Sequence, residues 1–173
     1  MIEIPMLEIE VIETPTFKFA LDEGLDSSFL PTRGTDRATG WDVRSAETVF
    51  IPDGGYAKIS LGFRALCPPG WWLELRPRSS SFVKKSLHAL YGVIDEDYEG
   101  KMIFACHFMP GQHERFPNAQ TTLTVLKGEA IGQLIPVRRQ EMIVESVSSE
   151  EYDRLCKDRA ATRGAGGFGS TSK

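Results

Sequence analysis

Apolar and polar side chains alternate with a period of two along most of the chain, the spacing of half-buried strands and not of helices. The pattern is clearest over residues 56–67, where Ala57, Ile59, Leu61, Phe63 and Ala65 are separated by Lys58, Ser60, Gly62 and Arg64. It recurs near the start, in Ile2, Ile4, Ile9 and Val11 and then in Phe17-Lys18-Phe19. Pro5 and Pro15 break that stretch or confine it to a sheet edge. Residues 48–52 predict a further strand, and residues 71–76 another with Trp71, Leu73 and Leu75 on its core face. From Lys101 on, Met102, Phe104, Cys106 and Phe108 alternate with Ile103, Ala105 and His107, which reads as a strand apolar on both faces. Residues 121–126, 130–135 and 137–147 complete the set. Turns fall at Asp53-Gly54-Gly55, Pro68-Pro69-Gly70 and Lys127-Gly128. Residues 21–37 read as loop with one helical turn, 81–90 as an irregular or helical bridge, and 110–119 as a polar loop. Ser148-Ser149-Glu150-Glu151 is a capping-box start, predicting a helix to about Lys157 or Asp158. The pattern is that of an antiparallel all-β protein with one short helix.

One stretch interrupts the alternation with chemistry. Tyr91-Gly92-Val93-Ile94-Asp95-Glu96-Asp97-Tyr98-Glu99-Gly100 reads as a hairpin whose tip is acidic. Glu96 and Asp97 are expected to be solvated. Asp95 follows two apolar residues directly, so partial burial is expected there, and a partly buried carboxylate beside a tyrosine suits base chemistry.

Composition narrows the classes. A chain of 173 residues with 41% hydrophobic and 25% charged residues reads as one soluble domain. Its net charge of −4 offers no basic surplus for a general nucleic-acid binder. An anionic ligand must then be held by a local cluster of arginines and amides. No apolar run approaches a membrane span, and the acidic start Met1-Ile2-Glu3-Ile4-Pro5 lacks the basic region of a secretory signal. Three cysteines without a CxxC (Cys67, Cys106 and Cys156) suit a reducing compartment. The expectation is a cytoplasmic protein without nucleic-acid or membrane partners.

Four other stretches carry candidate chemistry beside a plainer reading. Asp42, within Gly40-Trp41-Asp42-Val43-Arg44, would by itself be an exposed strand carboxylate. Pro77-Arg78-Ser79-Ser80-Ser81 combines a guanidinium fork, hydroxyls and backbone N–H groups in an anion nest; it also reads as a serine-capped helix start. Gln133, among apolar neighbours, needs buried hydrogen-bond partners whatever else it does. The tail Arg163-Gly164-Ala165-Gly166-Gly167-Phe168-Gly169-Ser170-Thr171 would ordinarily be an inert terminus. Yet it carries a cation and an aromatic among glycines, with no Gly-Lys-Ser/Thr of a Walker loop. Cys106, His107 and His113 have unconvincing spacing for zinc.

Taken together and in order from Ala38 to Thr171, these five stretches resemble the five signature motifs of the trimeric dUTP pyrophosphatases. The resemblance implies a jelly-roll-like antiparallel β-barrel, residues 1–162, followed by a mobile C-terminal lid, residues 163–173. It implies hydrolysis of dUTP to dUMP and pyrophosphate, which keeps uracil out of DNA and supplies dUMP for dTMP synthesis. In that reading Asp95 activates water, and Arg78, Ser79, Ser80 and Gln133 hold the α and β phosphates. Asp42 orients water around Mg²⁺, and the backbone of Gly92, Val93 and Ile94 reads uracil. Tyr98 excludes a 2′-hydroxyl. Phe168 stacks on the base, while Arg163, Gly169, Ser170 and Thr171 close over the γ-phosphate. Each site of the homotrimer is shared among three subunits. Ala130 departs from the basic residue that many members carry there, so any ion pair at that point is absent or supplied elsewhere. The alternatives on the same fold are a dCTP deaminase, a bifunctional deaminase–pyrophosphatase, or a nucleotide-gated regulator.

Overall fold

The structure is a computed structural model, and it describes residues 14–110 and 122–159. Two compact units are present, Met1–Arg139 and Gln140–Lys173. In the first, ten strands form three antiparallel sheets among the described residues. One sheet has the order β1 (Lys18–Leu21), β4 (Tyr56–Leu66), β8 (Lys101–Phe108), β6 (Leu87–Ala89). The second is β2 (Trp41–Arg44), β10 (Ala130–Arg138), β5 (Trp71–Pro77), β7 (Gly92–Ile94), and the third pairs β3 (Val49–Pro52) with β9 (Thr122–Val125). The expected all-β, antiparallel architecture is what the chain adopts.

The core follows from the alternation. Ile59, Leu61 and Phe63 of β4 are buried against Met102, Phe104 and Cys106 of β8 and Ile131 and Leu134 of β10. Full burial of one such side chain is worth about 1.5–3 kcal/mol. The Cys106 thiol lies in this core, and burial pushes its pKa up to about 11. Gly62, with φ +77°, sits where the β4–β8 register shifts, and a side chain there would strike Leu25 and Ala46. It is a bulge that only glycine fits.

Several expectations change. The strand β8 buries Met102, Phe104, Cys106 and Phe108, but its other face is open, with Ile103 37% exposed. Cys106 and His107 therefore point to opposite faces, and the His107 ring lies 5.3 Å from that of Tyr56 instead. The strand foreseen over 137–147 ends at Arg138, because its neighbour β5 begins at Trp71, the residue paired with Arg138. Arg139 N–H turns to the Gly70 carbonyl at 2.8 Å, and among the described residues no partner strand continues beyond it. The bridge after Pro77 is helical, α1 (Ser79–Lys85), so the described chain has two α-helices.

The other, α2 (Ser149–Asp158), belongs to the second unit and starts as predicted, the Ser148 hydroxyl accepting from the Glu151 N–H at 3.1 Å. The loop over 21–37 holds one 3₁₀ turn, Ser27–Phe29, capped by Asp26. Among the described residues no helix is long and apolar enough to cross a membrane.

Candidate active site

Three strands bring one cluster together. Gln133 on β10 is flanked by Asp42 on β2 and Arg76 on β5. Its Nε2 donates to the Pro77 carbonyl at 3.1 Å, the partner that a half-buried amide requires. Gly40 makes room for it: a methyl group there would lie 1.9 Å from Gln133 Oε1. Arg78 Nε approaches Asp42 Oδ1 at 3.3 Å, with the two side chains 37% and 24% exposed. That contact uses Nε alone and leaves the Nη1/Nη2 fork, the part that matches a phosphate, outside it.

The serines after Arg78 are not caps. Arg78 itself occupies the N-cap of α1, with no side-chain capping bond. Ser81 is buried and its Oγ donates to the Ile131 carbonyl at 2.7 Å, pinning the helix to β10. The Ser79 and Ser80 N–H groups stand in the first helical turn, where no intrahelical acceptor exists. Asp42, Arg78, Ser79, Ser80 and Gln133 thus form one polar group at the β2–β10–β5 end. Beside Ala130, Lys85 pairs with Glu129, and Arg44 Nη1 donates to the Gly128 carbonyl at 3.1 Å.

The acidic stretch forms a second cluster. Its base is a hairpin, with Ala89 opposite Cys106 and the Leu90 N–H donating to the Ala105 carbonyl at 2.9 Å. Above that the arms part, because β7 leaves β8 and pairs with β5, Ile94 opposite Leu73 and Gly92 opposite Leu75. A cavity of about 310 Å³ opens between the arms, lined by Gly92, Ile94, Asp95 and Tyr98 together with Tyr91 and Ile103. Since β7 is an edge strand, one row of its N–H and C=O groups lies outside the ladder. Tyr98 OH donates to the Lys101 carbonyl at 3.0 Å, and its ring covers Gly100, where a methyl group would meet the hydroxyl oxygen at 2.3 Å.

Two expectations about this turn are reversed. Asp95 is exposed in the protomer, while Glu96, expected in solvent, is half-buried. The reason is register: Glu96 faces the β4–β5 turn, where its carboxylate accepts the Gly70 N–H and pairs with Arg139. Tyr91 and Ile103 were also missed as lining residues. The outward apolar positions of β8, Ile103 and Ala105, were the available signal, since apolar residues on a strand's outer face need a covering neighbour.

The two clusters do not meet within one chain. Ile94 stands opposite Leu73, so Asp95 lies beyond the Trp72 end of β5, whereas Arg78 follows its other end at Pro77. At ~3.3 Å per residue the strand between them spans about 20 Å. Arg163, Phe168, Gly169, Ser170 and Thr171 lie outside the described residues.

The dUTPase family profile matches residues 26–172. The chain belongs to the dUTPase family. A deoxyuridine 5'-triphosphate nucleotidohydrolase of Debaryomyces hansenii is 31% identical over 148 residues, covering 86% of this chain and 83% of that protein. Among solved structures, a point mutant of the Staphylococcus bacteriophage 80alpha dUTPase with dUpNHpp superposes with a TM-score of 0.74 at 23% identity, covering 92% of this chain and all of that one. A point mutant of the dUTPase of S. aureus phage phi11, whose structure shows the coordination of a structural Mg(II) ion, gives 0.64 at 22% identity, over 78% and 97%. At these identities the two phage structures speak for the fold.

For a divalent ion, the donor set of this dUTPase is sparse. Among the described residues no group of three or more His, Cys, Asp or Glu side chains could hold one. Asp42 offers one carboxylate beside an arginine. That fits a Mg²⁺ ion that arrives on triphosphate oxygens and keeps its water, and not a cage of protein ligands.

Proposed function

We propose that this chain hydrolyses dUTP to dUMP and pyrophosphate, with Asp95 as the general base. The observation that carries the reading is the opened hairpin. A cavity bounded by an edge strand, a pinned tyrosine and an aspartate has the parts needed to read a pyrimidine edge, cover a deoxyribose and activate water. The unpaired row of β7 offers donors and acceptors to uracil as a base-pairing strand would. Cytosine, with the opposite polarity at that edge, leaves them unsatisfied. Tyr98, held to the Lys101 carbonyl, stands where a 2′-hydroxyl would have to fit.

Catalysis follows from where charge and protons go. Asp95 takes a proton from the water that attacks the α-phosphorus, a contribution of about 10²–10⁴ in rate. The Arg78 fork and the Ser79 and Ser80 amides hold the phosphates and stabilise charge on the leaving oxygen, and Gln133, clamped by Pro77, shapes their floor. Mg²⁺ bound to the triphosphate would be oriented through water by Asp42, and it supplies charge neutralisation of the pyrophosphate. Phe168 stacks on the base, and Arg163, Gly169, Ser170 and Thr171 close on the γ-phosphate.

A homotrimer with shared sites is part of this proposal. The separation of Asp95 from Arg78 in one protomer supports it. So does the run Met142, Ile143 and Val144, whose side chains are 83%, 97% and 83% exposed and need cover from water. The cytoplasm remains the proposed location, on the reading that three cysteines without a CxxC suit a reducing compartment.

Pyrophosphate release from a panel of dNTPs and UTP, with and without Mg²⁺, tests the function; dUTP alone should be turned over efficiently. Ammonia released from dCTP would indicate the deaminase instead. Gly100→Ala should displace the Tyr98 ring and lower the ratio of kcat/KM for dUTP to that for UTP by roughly tenfold, the scale of one steric contact. An unchanged ratio would remove Tyr98 from sugar selection.

A further inference from the structure

We propose that Glu96 and Arg139 are positioning residues for this reaction, forming a clasp that fixes the turn from which Asp95 projects. The inference rests on Asp95 being the base and goes beyond it, because neither partner touches substrate in that reading.

Three segments close on one carboxylate. Glu96 Oε2 accepts from Arg139 Nη1 at 2.8 Å and from the Gly70 N–H at 2.9 Å, while the Arg139 backbone N–H donates to the Gly70 carbonyl at 2.8 Å. The turn after β7 is thereby tied to the β4–β5 turn and to the end of β10. Gly70 adopts φ +77°, a conformation that favours glycine, so the amide is presented by a backbone shape few residues could replace. Of the three consecutive acids only Glu96 is drawn in; Asp95 and Asp97 are exposed. Asp95, Glu96, Asp97 and Arg139 line one cavity of about 390 Å³ with Trp72 and Val93, so clasp and base share a wall.

The supports of the turn divide at Ile94. Up to that residue the ladder with β5 holds the backbone that would read the nucleobase. Past it the ladder stops, and Asp95 depends on the Tyr98 N–H to Asp95 carbonyl bond at 3.2 Å and on the clasp one residue further on. Loosening the clasp should therefore move the base without moving the base-reading edge. Chemistry should suffer and binding should not, since displacements of about 1 Å in a reacting group can cost up to 10²-fold.

The test uses the full-length assembled enzyme with dUTP turnover, dUpNHpp affinity and sedimentation measured together. Glu96→Ala should lower kcat by roughly tenfold or more with KM and analogue affinity within about threefold. Glu96→Gln keeps an acceptor for the Gly70 amide and should recover most of the loss, as should Arg139→Lys relative to Arg139→Ala. An unchanged kcat in Glu96→Ala overturns the clasp. So does a parallel change in kcat and KM, or equal impairment of the alanine and glutamine variants. Should Glu96→Ala fail to assemble, the Arg139 pair decides, because its backbone bond to Gly70 survives side-chain replacement. A wild-type chain that releases no pyrophosphate from dUTP would sink the functional reading and the clasp with it, an outcome separable from an active wild type matched by its variants.

Discussion

Replacing Asp95 by asparagine should slow dUTP turnover by about 10²–10⁴ while leaving dUpNHpp affinity within about tenfold. The substitution keeps the shape of the side chain and one acceptor oxygen, while it removes the charge and the ability to take a proton. Little else depends on the carboxylate. Asp95 is exposed in the protomer, and exposed substitutions usually shift stability by no more than about 0.5 kcal/mol. The turn itself is held by the Asp95 carbonyl, the Glu96 carboxylate and the Tyr98 hydroxyl, none of which the change alters. Pyrophosphate release and calorimetric titration with the analogue separate the two effects. Normal turnover by Asp95→Asn would exclude it as the base.

Mixing two dead enzymes should restore activity. On the proposed reading Arg78→Ala removes the phosphate fork and Asp95→Asn the base, so each variant assembled alone should be inactive. If the two groups serve one site from different protomers, a mixed trimer contains interfaces where an intact Asp95 meets an intact Arg78. With random assembly of equal amounts, each condition is met half the time, so about one quarter of the sites should work. The physical basis is the length of β5: its two ends, about 20 Å apart at ~3.3 Å per residue, carry the two clusters, and no rotamer change closes that distance. Co-refolding the variants and measuring turnover against the mixing ratio gives the test. No recovery at any ratio in confirmed mixed trimers would mean that the site is not divided in this way.

How much of this was legible beforehand depends on the residue. Gln133 announced itself, because an amide amid apolar neighbours must be satisfied internally, and Pro77 satisfies it. The Ser148 cap was legible for a similar reason: hydroxyl and amide lie within one turn, so the chemistry is local. Asp95 was found as a candidate on the premise of burial, and that premise fails in the protomer. Glu96 was assigned to solvent because nothing in its neighbours reveals Arg139, 43 positions away and brought to it only because β10 and β7 flank β5 in one sheet. The strand expected over 137–147 has the right residues and past Arg138 lacks a neighbour among the described residues, since β5 begins opposite Arg138. Side-chain pattern reports that a segment can pair; it does not report with which chain.

The chain's own order of residues determined the strands, their core faces, the turn chemistry and the family to which the protein belongs. Those properties are set within a few residues, by alternation of polarity, by backbone geometry at glycine and proline, and by short motifs. Only the tertiary structure decided that β7 abandons β8 for β5 and so opens a cavity, that Glu96 and not Asp95 turns inward, and that the Arg78–Asp42 cluster and the acidic turn stand at opposite ends of one strand. These depend on which distant backbones pair, and pairing energy is spread over whole sheets, so no single stretch of sequence records it.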